Sequence, residues 1–149
     1  MAVTAKVYYK AITSMVNEEV DWATDTIKVA LFTSSLNSSS GPSQSADQYF
    51  DAAPYTSNQC PATGNYSTGG ATLASKTEAY ASNVKQFDAA DTTWSTSTIT
   101  ARYAVVYDDT PSSNKPLLSY VDFGQDVSSS GGNFTITWDS TGVFTVTVS

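Results

Sequence analysis

Apolar and polar positions alternate through most of the second half of this chain, and only the first twenty residues carry a helical rhythm. Val7, Ala11 and Met15 form one i, i+4 row, with Tyr8, Ile12 and Val16 beside it. Lys6, Lys10, Thr13 and Asn17 fall mostly off that stripe. The spacing predicts an amphipathic helix over 6–16, capped by Asn17. At roughly three turns it is marginal alone, so its stripe must dock on something. Ile27, Val29 and Leu31 then alternate with Lys28, Ala30 and Phe32, which predicts a strand over 26–33 with one apolar face.

Residues 34–65 lose this rhythm. The run Ser34–Ser43 is a polar loop by composition, 47–53 suits a helical turn, and Pro54, Pro61, Gly64 and Asn65 keep the rest irregular. So long a loop is unusual in a compact domain. It reads either as a disordered excursion or as a segment tied down by a partner. Leu36, Tyr49, Phe50 and Tyr55 are apolar weight that disorder does not need, so they are the candidate partner contacts.

From Gly69-Gly70 to the end the pattern is continuous β. Strands are predicted over 71–79, 83–87, a segment opening at Trp94, 98–107, and 117–123 closed by Gly124. In 98–107 the second face turns apolar at Ala104 and Val106, so that strand should end buried on both sides. Phe134, Ile136 and Trp138, then Phe144, Val146 and Val148, predict a closing hairpin around the turn Asp139–Gly142. The total is about seven strands and one N-terminal helix. The expectation is a mainly β single domain over 1–149, an antiparallel β-sandwich or small barrel with the helix over an open end or edge.

Charge and chemistry narrow the function. Charged residues make up 14% of the chain and the net charge is −7, with one Arg. Neither nucleic acid nor an anionic membrane surface suits such a partner, because both need clustered Lys and Arg. There is no His, which removes the Ser-His-Asp triad, the Cys-His pair and the commonest transition-metal ligand. Cys60 stands alone and reads as an inert loop thiol, with an intermolecular disulfide as the alternative. Gly69-Gly70 and Gly131-Gly132 read as turns, since neither opens a phosphate loop. The carboxylate pairs Glu18/Glu19, Asp21/Asp25, Asp88/Asp91 and Asp108/Asp109 read as solvated surface or turn caps. No apolar run reaches the roughly 20 residues of a membrane span. The opening residues lack the pattern of a signal peptide, so the sequons at Asn37, Asn65 and Asn133 read as chance. Trp22, Trp94 and Trp138 read as core. No enzyme, cofactor, metal or small-molecule substrate is expected.

Several segments carry a family resemblance. They are Gly69-Gly70-Ala71-Thr72-Leu73, Asp91-Thr92-Thr93-Trp94-Ser95, the run Thr98–Tyr107, Leu117–Gly124 and Phe134–Gly142, with Val20-Asp21-Trp22 and Ile27–Phe32 before them. In this order they resemble the small virion structural proteins of tailed bacteriophages, the head decoration (cement) and minor structural proteins. The resemblance covers most of the chain apart from 34–65. It implies a virion protein assembled in the bacterial cytoplasm, bound many times to the major capsid protein lattice beside copies of itself, often as trimers. It implies no catalysis. The N-terminal segment and the 34–65 loop are the expected attachments. The alternative is a tail-associated or fibre-type carbohydrate- or receptor-binding β module, which calls for exposed aromatics such as Tyr49, Tyr55 and Tyr66 along one groove.

Overall fold

The structure, a computed structural model, describes residues 3–36 and 41–149. The polar loop tip predicted at 37–40 lies outside them. In chain order the elements are β1 (Thr4–Val7), α1 (Tyr9–Val16), β2 (Ile27–Phe32), β3 (Ala71–Thr72), β4 (Thr77–Ala81), β5 (Val84–Asp88), β6 (Thr92–Ser97), β7 (Thr100–Asp108), β8 (Leu117–Ser128), β9 (Gly132–Ile136) and β10 (Phe144–Thr147). The fold is mainly β with one helix. Its antiparallel ladders form a five-stranded sheet in the order β1-β8-β7-β2-β3, a three-stranded sheet β10-β5-β4, and a two-stranded sheet β6-β9. No sheet closes on itself, so the architecture is sandwich-like and not a barrel.

The centre of the large sheet follows from composition. β2 pairs with β7 from Ile27↔Asp108 to Phe32↔Tyr103. Every side chain of β7 from Tyr103 to Asp108 is buried, including Ala104 and Val106 on its second face. A strand covered on both faces needs apolar residues at successive positions, and this one has them. One core cluster joins this strand to Trp22, Phe87 and Phe144, to Trp94 and Phe134, and to Tyr8 and Ala11. Beside β2, Gly70 has a positive φ of 77°, and a Cβ there would lie 1.8 Å from the Val29 carbonyl oxygen. Only glycine lets the chain come that close as it enters β3.

Several boundaries differ from the sequence expectation. The helix starts at Tyr9 rather than Lys6, because Thr4–Val7 pairs along β8 and Tyr8 is extended. Only half of its apolar stripe docks: Tyr8 and Ala11 are buried and Met15 partly so, while Ile12 and Val16 are exposed. The strand predicted over 71–79 is broken at Ser75, which has a φ of 51°, and its halves belong to different sheets. The strand predicted to stop at Gly124 runs on to Ser128. Gly124, at φ 76°, instead sits where the β7–β8 register slips, its N–H held by Asp122 Oδ1 at 2.8 Å.

The predicted closing hairpin does not form. The turn is real, with the Gly142 N–H donating to the Asp139 carbonyl at 2.8 Å. However, β9 pairs with β6, and β10 pairs with β5. The turn is therefore a corner between two sheets. Alternation marked the buried Phe134, Ile136 and Phe144 correctly but not the exposed Val148, and it carries no information about the partner strand.

The 34–65 segment is tied down by the chain's own core. The Cys60 N–H donates to the Leu31 carbonyl at 2.9 Å, and the Thr33 N–H to the Asn58 carbonyl at 3.1 Å. Phe50 and Leu117 exchange backbone bonds with the opposite segments, Phe50 N–H to Lys115 O at 2.8 Å and Leu117 N–H to Gln48 O at 2.9 Å.

Candidate functional site

The three-stranded sheet has one apolar face, and register defines it. Phe144 lies opposite Phe87 and Val146 opposite Lys85, while Glu78 and Tyr80 of β4 continue the same rows. At one end of this face Trp22 meets Phe87 and Phe144 edge-on, with ring centroids 5.5 and 5.6 Å apart. The Trp22 indole N–H donates to the Thr77 carbonyl at 3.0 Å, fixing the ring. α1 packs against β8 and borders this face. Its Ile12, Met15 and Val16 face Lys85, Phe87 and Val146 over a shallow groove of about 240 Å³. A second cleft of about 460 Å³ shares Met15 and Phe87 and continues past Val20, Trp22, Glu18, Asp21 and Glu78.

This combined surface is apolar at the floor and charged at the rim. Val16 is 76% exposed and Ile12 39%, and Tyr80 stands 63% exposed at the far edge of the sheet. Lys85 pairs with Glu78 at 3.1 Å between β5 and β4, beside the apolar floor of Phe87, Phe144 and Val146. The helix stripe predicted this face in part: it marked Ile12 and Val16 as apolar, but not that they would stay exposed.

The four residues named as partner contacts go elsewhere. Leu36, Phe50 and Tyr55 are buried, and Tyr49 is half-buried beside Pro116. Phe50 and Tyr55 meet around Phe32 and Tyr107. Leu36, Phe50 and Tyr55 pack into the core and hold the segment onto the body. Tyr66 is also buried, its hydroxyl accepting the Leu31 N–H at 3.0 Å. Trp22 and Trp94 are core as predicted, and Trp138 is partly buried against it.

The remaining chemistry is structural in its contacts. Asp21 Oδ1 caps the N–H groups of Ala23 and Thr24 at 2.9 and 3.3 Å. Asp109 pairs with Lys28 at 2.6 Å and Lys115 at 2.5 Å. Burial works against the Asp109 charge, but the two ammonium groups outweigh it and hold the carboxyl below the usual range. Its neighbour Asp108 is the exception to the surface reading, because it is buried. Cys60 is fully buried, and its thiol donates to the Thr100 carbonyl at 3.3 Å. Burial pushes this thiol up to about 12, which suppresses the nucleophilic thiolate. Among the described residues no three His, Cys, Asp or Glu side chains gather to hold a metal ion. No described helix is long and apolar enough to cross a membrane.

No family model, curated protein or solved structure gives a significant match to the chain.

Proposed function

We propose that this chain is a non-enzymatic structural subunit of a tailed-bacteriophage particle, a head decoration (cement) subunit. It binds the lattice of the major capsid protein beside copies of itself and stabilises the head. The observation that carries this reading is the half-docked helix. Ile12 and Val16 stand exposed beside a groove shared with Phe87 and Val146, on a chain whose other large apolar residues are mostly in its core. A contiguous exposed apolar strip rimmed by charge is the usual mark of a protein contact. The sequence resemblance supplies the assembly. Its motifs fall mostly on β2, β3, β6, β7, β8 and β9.

The tail-module alternative draws little from the tyrosines it needs, since Tyr55 and Tyr66 are both 1% exposed. Gel densitometry of purified particles separates the two. A copy number comparable to that of the major capsid protein is expected. A few copies per particle would overturn the head assignment and favour a tail location.

A further inference from the structure

Asp108 closes β7 with no exposed surface. Its Oδ1 accepts the Thr110 N–H at 2.8 Å, and its Oδ2 is buried without a hydrogen-bond donor. Such an orphan is costly for a carboxylate and cheap for a carboxylic acid, which carries its own donor. The acceptor for that donor is at hand. Ile27 lies opposite Asp108 in the ladder and the Asp109 N–H donates to the Thr26 carbonyl at 2.9 Å, which brings Asp25 beside Asp108. On top of burial, the Asp25 charge acts on the Asp108 carboxyl and raises it.

The surrounding charges leave this pair alone. Lys28 and Lys115 both turn to Asp109. Lys76, from the β3–β4 connection, donates to the Asp25 carbonyl rather than to its carboxylate. Asp21 contributes its N–H to Asp25 Oδ2 at 2.5 Å and uses its own carboxylate on Ala23 and Thr24. With a neighbouring negative charge and no ion pair of its own, a buried Asp108 carboxyl favours the protonated form.

We propose that Asp108 is protonated in the fold, its Oδ2–H donating to the Asp25 carboxylate, and that this bond latches the α1–β2 connection to the end of β7. That connection carries Val20 and Trp22, two walls of the cleft beside α1. Loss of the proton therefore loosens the cleft, whatever the cleft binds. Burial pushes the Asp108 carboxyl above its usual range, and the Asp25 charge acts in the same direction. A raised folded value means that the latch stabilises fully below the unfolded value of about 3.9. That stabilisation disappears as pH climbs through the folded value. Asp21, Asp51, Asp109, Asp122 and Asp139 are shifted the other way and stabilise increasingly as pH rises through the acid range. The latch must therefore be read as a difference between variants.

The test is a carboxyl-carbon NMR titration of the full chain, with Tm against pH for the wild type and Asp108→Asn. Asp108 is expected to titrate above the ordinary aspartate value, and Asp25→Asn to bring it down. The asparagine donates permanently, so the Tm of Asp108→Asn relative to wild type should rise with pH and then level off. Hydrogen exchange at 20–25 should quicken in the wild type across the same titration. An Asp108 that titrates at or below the ordinary value would overturn the proposal, as would a Tm difference constant from about pH 3 to pH 8. Should the variant fail to fold, the wild-type titration decides alone.

Discussion

Phe50 lies flat on Tyr107, the ring centroids 3.6 Å apart and the planes within 2° of parallel. One ring belongs to a segment without regular structure and the other to the two-face-buried half of β7. Phe32 and Tyr55 close the cluster, so the irregular segment is held by aromatic packing as much as by its backbone bonds. Phe50→Ala should cost about 3–5 kcal/mol, the range for truncating a buried aromatic. Urea denaturation measures the loss. Hydrogen exchange over 43–60 should rise more than exchange in β7, because the segment loses its anchor while the strand keeps its ladder.

A second anchor is polar. The Tyr55 hydroxyl donates to Asp47 Oδ2 at 2.6 Å, so the Tyr8 hydroxyl, 2.8 Å away, donates to Tyr55. Tyr55→Phe strands the Tyr8 hydroxyl in the core and removes a donor from Asp47, at about 1–3 kcal/mol. Tyr8→Phe removes one bond and leaves the Tyr55–Asp47 bond in place, so it should cost less. Equal losses for the two variants in denaturant titrations would contradict this directional chain.

How much of this was legible in the sequence depends on the range of the signal. The two-faced burial of β7 was readable because Ala104 and Val106 break the alternation locally. The placement of Phe50 was not, because its partner Tyr107 lies 57 positions away and nothing near Phe50 marks it. The same limit misassigned the last two strands: Phe134 and Phe144 show which face is buried, while their partners Trp94 and Phe87 are chosen by the packing of whole sheets. For the candidate site, the stripe of α1 was visible, but not that Ile12 and Val16 would stay exposed. Asp108 beside Asp109 looked like a turn pair, and only the ladder with β2 buries one of the two.

Burial raises the phenol pKa of Tyr8, Tyr55, Tyr66 and Tyr107 above the ordinary value. A raised folded value means that these groups contribute full stability below the unfolded value of about 10 and lose it as pH climbs beyond that. The fold should therefore unfold cooperatively in alkali, with the tyrosinate absorbance of these four appearing together with the loss of circular dichroism. Ionisation of all nine tyrosines well before unfolding would contradict the burial.

The exposed half of α1 separates a contact surface from a structural one. Val16 and Ile12 stand 76% and 39% exposed, so replacing both with glutamine, a comparable helix former, should shift stability by only about 0.5–1 kcal/mol. If the strip is covered on the particle, each aliphatic side chain contributes up to about 1.5–3 kcal/mol of burial there. Every 1.4 kcal/mol is about tenfold in affinity, so the double variant should be retained on particles at least tenfold more weakly. Thr13→Gln, on the exposed face beside the strip, is the control and should bind as the wild type does. Co-sedimentation of purified protein with particles lacking it gives the comparison. A folded double variant that still reaches the wild-type copy number would place the contact elsewhere on the molecule.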